Sequence, residues 1–527
     1  MSLKKILHKI TVSVLLTGML LLNSCSVSEL LEETSVQAHP QPDEAAAMET
    51  TAAQLAVPDD EYILNYEVSP ADAGYISGIA SQTLLEGERS TTVEAVAASG
   101  YQFVKWSDGE KKAIHRPMTV TESQTVYAIF EQVIDSCPVI YIDTGGKSVE
   151  SDWKTVDCTI SLDNIEKRYI VTGETATIKC RGNASMGWPK KSYTIKFTEG
   201  QKLGGLGEGK SRNWVLISNH CDQSLLRNHT GFWLQRNMDG IEWSPDCRPV
   251  DVYLNGDYRG NYMLIEKVTV NEDRVNIQNS KTDSSLEADF MVELDNYASK
   301  AGEKGIVWFT AKGFPYEIRG EDNMTSERCD YVDQWVTNAY NIACDGTEAE
   351  IREVLDIDSL VDIYLVEEIM KNIDCGWSSF FLYRRDGKLY FGPGWDFDLA
   401  AGNDGRLDGG SYKRIYAGDA SYGFGQQNPW FLRLMEKDWF RKLAAERFLE
   451  LEESGLFERM FAELDRVYGI CRESFEHNFE KWPIFGQTIN QEPHQVRQLN
   501  SVEEHFNYLK EWLGNRIAWL HDEFSGY

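Results

Sequence analysis

Three hydrophobic patterns succeed one another along the chain. Residues 61–133 carry short alternating runs, among them Tyr62-Ile-Leu-Asn-Tyr-Glu-Val, Thr91-Thr-Val-Glu-Ala-Val-Ala and Thr125-Val-Tyr-Ala-Ile-Phe, separated by Gly, Asp and Ser, which predicts a small all-β module. From Cys137 a long region, 137–525, begins strand-rich: Val139-Ile-Tyr-Ile, Ala176-Thr-Ile-Lys-Cys, Ser192-Tyr-Thr-Ile-Lys-Phe, Trp214-Val-Leu-Ile, Val250-Asp-Val-Tyr-Leu and Tyr262-Met-Leu-Ile-Glu. Asn255-Gly256 signals a tight turn and makes 250–266 a hairpin. Within 192–197, Tyr193, Ile195 and Phe197 fall on one face and Thr194 and Lys196 on the other. The period then changes, with apolar residues three and four apart in 355–371, 430–470 and 502–523, which predicts helices. Strands first and helices later give an α+β fold.

The N-terminus has a pattern of its own. Lys4, Lys5 and Lys9 precede an apolar run from Ile10 to Leu22, too short for a membrane span and suited to an export signal. Asn23-Ser24-Cys25 resembles a bacterial lipoprotein cleavage site, which implies 1–25 as signal peptide and Cys25 as the lipidated residue. Acyl chains there would anchor the protein, each buried methylene contributing about 0.8 kcal/mol. Residues 26–60, rich in Ala, Glu, Thr, Gln and Pro, read as a flexible acidic linker. The expected location is the cell envelope, on a bacterial membrane and in the outward-facing case on the outer-membrane surface, since Glu29, Glu32 and Glu33 resemble a surface-sorting signal.

Charge narrows the partners. With 52 Lys and Arg against 83 Asp and Glu, a formal net charge of −31 disfavours nucleic acid, so a phosphate ligand must meet a local basic cluster or arrive with a metal. Nine cysteines besides Cys25 include no Cys-x-x-Cys, which argues against zinc, and their odd number, with no connectivity readable from spacing, predicts no disulfide framework. His220 and His229 have no partner at metal-ligand spacing.

The densest candidate chemistry is Gly392-Pro-Gly-Trp-Asp-Phe-Asp398. This segment reads as extended, so Asp396 and Asp398 project to one side roughly 6 to 7 Å apart. Two full charges at that spacing repel by about 2.5 kcal/mol at an effective dielectric near 20, a cost that a divalent cation reverses. Carboxylate oxygens suit magnesium or manganese. A basic group also stands out: Arg181, Lys190, Lys191 and Lys196, with Gly182 and Gly187 allowing close backbone approach to an anion. Asp222 and Arg227 precede a helical stretch and read as a cap and its ion-pair partner.

Several blocks together resemble known families. Gly100-Tyr-Gln-Phe-Val-Lys-Trp-Ser-Asp-Gly resembles the divergent internalin-type B-repeat, which implies a core of Tyr101, Phe103 and Trp106. Arg181-Gly-Asn-Ala-Ser, Pro189-Lys-Lys, Asn213-Trp-Val-Leu, Asp222-Gln-Ser-Leu-Leu-Arg-Asn, Leu254-Asn-Gly-Asp-Tyr-Arg-Gly-Asn-Tyr, Leu264-Ile-Glu-Lys-Val, Asn372-Ile-Asp and Trp395-Asp-Phe-Asp resemble, in order, the spore-coat protein H (CotH-like) atypical protein kinases.

That second resemblance implies a two-lobed kinase-like fold that uses ATP or another nucleotide with Mg²⁺ or Mn²⁺ to phosphorylate Ser or Thr of an exported protein. In it Asp374 is the catalytic acid and Asp396 and Asp398 hold the metal. Arg181, Lys191, Lys196 and Glu266 form the nucleotide site, with either Lys196 or Lys191 on the phosphates and Glu266 fixing Lys196. The kinase pattern of an Asn five residues after the catalytic Asp is missing: Asp374 is followed by Cys-Gly-Trp-Ser-Ser, leaving Ser378 or Ser379 to supply a hydroxyl. Two other readings remain. One is a weakly active kinase-fold scaffold or adhesin that binds glycan or protein. The other is a nucleotide-sugar glycosyltransferase, disfavoured by the missing doubly wound α/β alternation.

Overall fold

The computed structural model describes residues 61–527 apart from 99–100, 134–135, 280, 282, 284, 304, 322–323 and 423–426, so the expected signal segment, Cys25 and the linker lie outside the described residues. Alternation builds the first module from β1 (Glu61–Ser69), β2 (Gly74–Ser77), β3 (Ser81–Leu85), β4 (Val93–Ala97), β5 (Tyr101–Trp106), β6 (Ile114–His115) and β7 (Gln124–Gln132). They form two sheets, β3-β1-β7-β5 and β2-β4-β6, around a core of their own. Trp106 is its centre, enclosed by the edges of Tyr66 and His115, whereas Tyr101 and Phe103 are only partly buried at its margin.

The strand-rich stretch that follows comprises β8 (Val139–Asp143), β9 (Val156–Asp163), β10 (Val171–Arg181), β11 (Ser192–Gln201), β12 (Ser211–Ile217), β13 (Cys247–Leu254) and β14 (Asp257–Glu266). Period-two patterning places Ile140, Ile160, Ile178, Ile195, Trp214, Val252 and Leu264 on one face, and the strands curl around them into a closed barrel, order β10-β11-β12-β14-β13-β8-β9. The 250–266 hairpin turns at Asn255 and Gly256, with φ of +52° and +82°. On β12 and β14, Val215, Met263 and Ile265 point outward into a second, larger core, so this side of the barrel is buried on both faces. Between β12 and β13 runs α1 (Arg227–Arg236).

The remainder mixes strands with helices rather than separating them. β15 (Phe290–Leu294), α2 (Ala298–Glu303), β16 (Trp308–Ala311), β17 (Phe314–Arg319), α3 (Ser326–Asp345), α4 (Glu348–Val354), α5 (Ile357–Ile369), β18 (Phe380–Arg385) and β19 (Lys388–Gly394) include an antiparallel sheet of order β16-β17-β15-β18-β19. α6 (Pro429–Met435), α7 (Asp438–Glu453), α8 (Leu456–Lys481), α9 (His494–Arg497) and α10 (Val502–Phe524) complete a mixed α+β chain, sheet-rich first and helical later. The predicted 430–470 helix is three, broken in part at Gly455, whose φ is +74°.

The amphipathic helix expected over 355–371 is α5, in which every residue except Asp358 is buried. Two of its three buried acids carry cationic partners. Asp362 accepts from Arg447 Nε at 2.8 Å, and Glu368 pairs with buried Arg516 while accepting from the Tyr416 and Ala417 amides at 2.7 and 2.8 Å. Among the described residues no helix is long and apolar enough to cross a membrane.

Candidate functional site

β19 ends at Gly394, and Trp395-Asp396-Phe397-Asp398 continue as a loop in which Asp396 has φ of +60°. Strand alternation therefore does not set the direction of the two carboxylates. The loop is held instead by α1, a helix whose polar residues other than Arg236 are buried. Gln235 accepts from the Gly394 amide at 2.8 Å and donates to its carbonyl at 3.2 Å; Asn228 Oδ1 accepts from the Phe397 amide at 2.8 Å; Arg227 Nε donates to the Ala400 carbonyl at 3.0 Å. Asp222 fixes that arginine by accepting its amide at 2.8 Å and its Nη1 at 2.6 Å, which is the ion pair expected from sequence; the expected cap is not formed, since the helix's N-cap position is Leu226. Gly231 completes the seat, because a Cβ there would lie 2.4 Å from the Phe397 ring.

Asp374 stands in the turn after α5, where its amide donates a 3.2 Å hydrogen bond to Asn372 Oδ1. Its Oδ2 accepts from Arg406 Nη2 at 3.3 Å, while Oδ1 is buried with no hydrogen-bond partner among the described residues. Burial raises its pKa, opposed by Arg406 and reinforced by Asp404 and Asp396. Asp398 is pushed up to about 8, first by burial and then by the like charges of Asp396, Asp222 and Asp374. Asp396 keeps a solvent-open face yet is crowded by protein, which raises its pKa against the pull of Arg181. Ser379 Oγ donates to Asp396 Oδ2 at 2.9 Å. The three predicted acids thus share one electrostatic neighbourhood.

Beside them opens a cleft of about 340 Å³ between the outer face of β10–β12 and the β15–β18 sheet. Arg181, Lys267, Arg319, Glu293, Ser379 and Trp395 are on its walls. Arg181 lies 5.3 Å over the Trp395 ring, and its buried Nη1 has no partner among the described residues. Lys267 keeps a solvent-open side chain yet is crowded by protein, which together with the cations Arg181, Arg319 and Lys179 lowers it to about 8, with Glu293 as counter-charge.

The basic residues read from sequence divide here. The expected Lys196–Glu266 pair is not formed. Lys196 is opposite Asn213 on the barrel's outer face, whereas Glu266 is opposite Trp214, whose side chain points inward. Glu266 instead accepts from Arg274 Nε at 3.2 Å and from the Asp246 amide at 3.0 Å. Lys191 donates to the Met186 carbonyl at 2.6 Å. Neither Lys191, Lys196 nor Glu266 lines the cleft. Lys190 is no solvated turn residue: its buried Nζ donates to the carbonyls of Ser218, at 2.7 Å, and Asn261 and to Asn478 Oδ1 at 2.7 Å. His229 bridges Cys247, 3.6 Å, and Glu463, 3.1 Å.

Sequence reasoning missed Lys267, Arg319 and the α1 residues Asn228 and Gln235. Lys267 sits one position beyond Glu266, on the opposite face, and so was legible from strand parity; Arg319 carried no signal. Nothing in the sequence marked α1 as buried, because Arg227, Asn228, His229, Thr230 and Gln235 are polar and a buried helix is expected to be apolar on its covered faces.

A family profile described as CotH kinase protein matches residues 178–520. The chain belongs to the CotH kinase family. A second profile, the divergent InlB B-repeat domain, matches residues 64–134, the module built from β1–β7. No curated protein matches the chain.

A kinase-like family implies nucleotide use, and the donors fit a hard cation. Among the described residues no three His, Cys, Asp or Glu side chains form a complete metal-ligand set. Magnesium commonly takes one or two carboxylates and fills its shell with water and phosphate oxygens. Asp396 and Asp398 match that partial set, and their mutual repulsion is of the kind a cation relieves.

Proposed function

We propose that this CotH kinase family member transfers a phosphoryl group from ATP or another nucleotide to Ser or Thr of an exported protein, in a magnesium- or manganese-dependent reaction. The reading is of two lobes, barrel and helical part, with the nucleotide between them. The observation that carries this reading is complementary unsatisfied chemistry on either side of Asp396: among the described residues, buried Arg181 Nη1 in the cleft has no acceptor and Asp374 Oδ1, which is not on the cleft wall, has no donor, and Asp396 acts electrostatically on both. Arg181, Lys267 and Arg319 bind the phosphate oxygens from the barrel side. Asp396 and Asp398 hold the cation, which when bound neutralises phosphate charge and orients the chain of phosphates. Asp374 Oδ1 accepts the hydrogen bond of the acceptor hydroxyl, orients it in line and receives its proton. Arg406 keeps Asp374 from turning away. Lipidation at Cys25 would hold the domain at the outer side of a bacterial membrane, where the acceptor is another exported chain.

A second reading, a weakly active scaffold or adhesin, draws on two observations: Arg406 already occupies one oxygen of Asp374, and the metal set is incomplete. Thermal melts with and without Mg-ATP separate the two. A ligand at one hundred times its dissociation constant adds about 2.7 kcal/mol of stability, and Asp396→Ala should abolish that gain. No gain with any nucleotide selects the scaffold; a gain unchanged by Asp396→Ala removes the metal role.

A further inference from the structure

The larger core holds a pair of thiols that the proposed chemistry does not use. Cys137 Sγ lies 2.6 Å from Cys471 Sγ, both side chains buried, although 334 residues separate them in sequence. Atoms that are not bonded pack at about 3.5 to 4 Å, so two thiols at this spacing are pressed together by the fold. Cys137 enters β8, and Cys471 faces it from α8 beside Ser474 and Phe475. The surrounding hydrogen bonds hold both in register. Asn261 Nδ2 donates to Cys137 Sγ at 3.4 Å and to Ser474 Oγ at 2.8 Å; Ser474 donates to Asp251 at 2.6 Å; Asn164 donates to the Cys137 carbonyl at 2.7 Å. One turn further along α8, Asn478 accepts from Lys190 and from the Asn261 amide at 3.1 Å.

We infer that Cys137 and Cys471 are an oxidation site that closes as a disulfide, a covalent tie between the barrel and the helical part. The reaction is thiol–disulfide exchange with an external disulfide oxidant. One cysteine thiolate attacks a sulfur of the oxidant, forming a mixed disulfide and releasing one reduced thiol. The second thiolate attacks the protein sulfur of that mixed disulfide and releases the other. The protein gives up two protons and two electrons, and the oxidant's disulfide is reduced to two thiols. Burial holds the Cys137 thiol well above its ordinary pKa. Exchange therefore belongs to the stage before α8 docks on β14, or to its transient opening, and the bond, once made, is shielded from reductants. The inference is independent of any nucleotide role.

The test unfolds and reduces the full chain, then refolds it in oxidised glutathione in parallel with dithiothreitol. Each sample is then denatured, alkylated without reduction, digested and mapped by mass spectrometry. The expected result is a Cys137–Cys471 cross-linked peptide in the oxidised sample alone, with an oxidised form that melts several degrees above the reduced one. Cys471→Ala should erase that difference, and Cys471→Ser serves if the alanine variant does not fold. Full alkylation of both cysteines after oxidation, a glutathione adduct without the cross-link, or equal melting of the two forms would overturn the inference.

Discussion

Ser379 donates a 2.9 Å hydrogen bond to Asp396, and both residues have left-handed backbones, with φ of +63° and +60°. Left-handed conformations cost non-glycine residues about 1 kcal/mol or more and persist where the surroundings enforce them. Here the pair links the start of β18 to the loop after β19, so the carboxylate is oriented from across the strand pair. Ser379→Ala leaves the loop in place, since α1 holds its backbone, but frees the Asp396 carboxylate. Titration calorimetry with Mg-ATP should show roughly tenfold weaker binding, the worth of one hydrogen bond to a charged group, with little change in the melting temperature of the unliganded protein. Equal affinity in the variant would mean that Ser379 does not position the metal-binding acid.

Crowding of acids is a cost that binding must relieve, so substrate affinity and unliganded stability should oppose each other at Asp398. Its carboxyl is raised to about 8 by burial and by Asp396, Asp222 and Asp374. Asp398→Asn removes the titration and preserves shape. Near neutral pH the parent must take up a proton at Asp398 on folding, so chemical denaturation without ligand should find the variant more stable by up to about 4 kcal/mol, at about 1.36 kcal/mol per pH unit above an unfolded value near 3.9. The same variant should lose the stabilisation by Mg-ATP. A variant less stable than the parent would place Asp398 in a structural hydrogen-bond role instead.

How far this could be read from residues alone differs element by element. The barrel strands were legible because period-two alternation is local, and Tyr193, Ile195 and Phe197 do line the interior. Closure into a barrel was not, since it depends on the β9–β10 and β8–β13 pairings between strands. The gathering of Asp374, Asp396 and Asp398 followed from motif order. The Lys196–Glu266 expectation failed on register. Parity within β11 does not fix which face β14 presents, and Asn213 opposite Lys196 and Trp214 opposite Glu266 put the two side chains on opposite faces. The depth of α5 was hidden because its acids, Asp362 and Glu368, are polar in sequence but paired with Arg447 and Arg516 in the fold.

That register makes the two lysines separable by experiment. Lys267 lines the cleft with Glu293 as its counter-charge, and Lys196 stands outside it. Lys267→Ala should weaken nucleotide binding by roughly ten- to a hundredfold, the value of one charge-assisted contact at about 1.5 to 3 kcal/mol. Lys196→Ala should change it less than threefold. Both are read from the nucleotide dependence of the melting temperature. The opposite ranking would return the phosphate contact to β11.

Two buried histidines give the fold an acid limit. His505 is held down to about 4 by burial and by Arg227, against Asp222 and a hydrogen bond involving the Leu499 backbone; its ring stacks on Phe485 and its Nδ1 has no partner among the described residues. His220 is likewise lowered to about 4, by burial and by Lys190, and packs between the edges of Trp188 and Trp482. Both pKa values lie below the unfolded value of about 6.5, so between those limits the unfolded chain binds more protons than the folded one. Stability is therefore complete above about pH 6.5 and falls as pH drops toward 4, by at most about 3 kcal/mol for each histidine at 1.36 kcal/mol per pH unit. His505→Phe keeps the stacked ring and removes the titration. Urea unfolding of parent and variant across this window should show the parent losing up to about 3 kcal/mol more on acidification than the variant. Parallel curves would show that His505 takes up its proton in the folded state as readily as in the unfolded one.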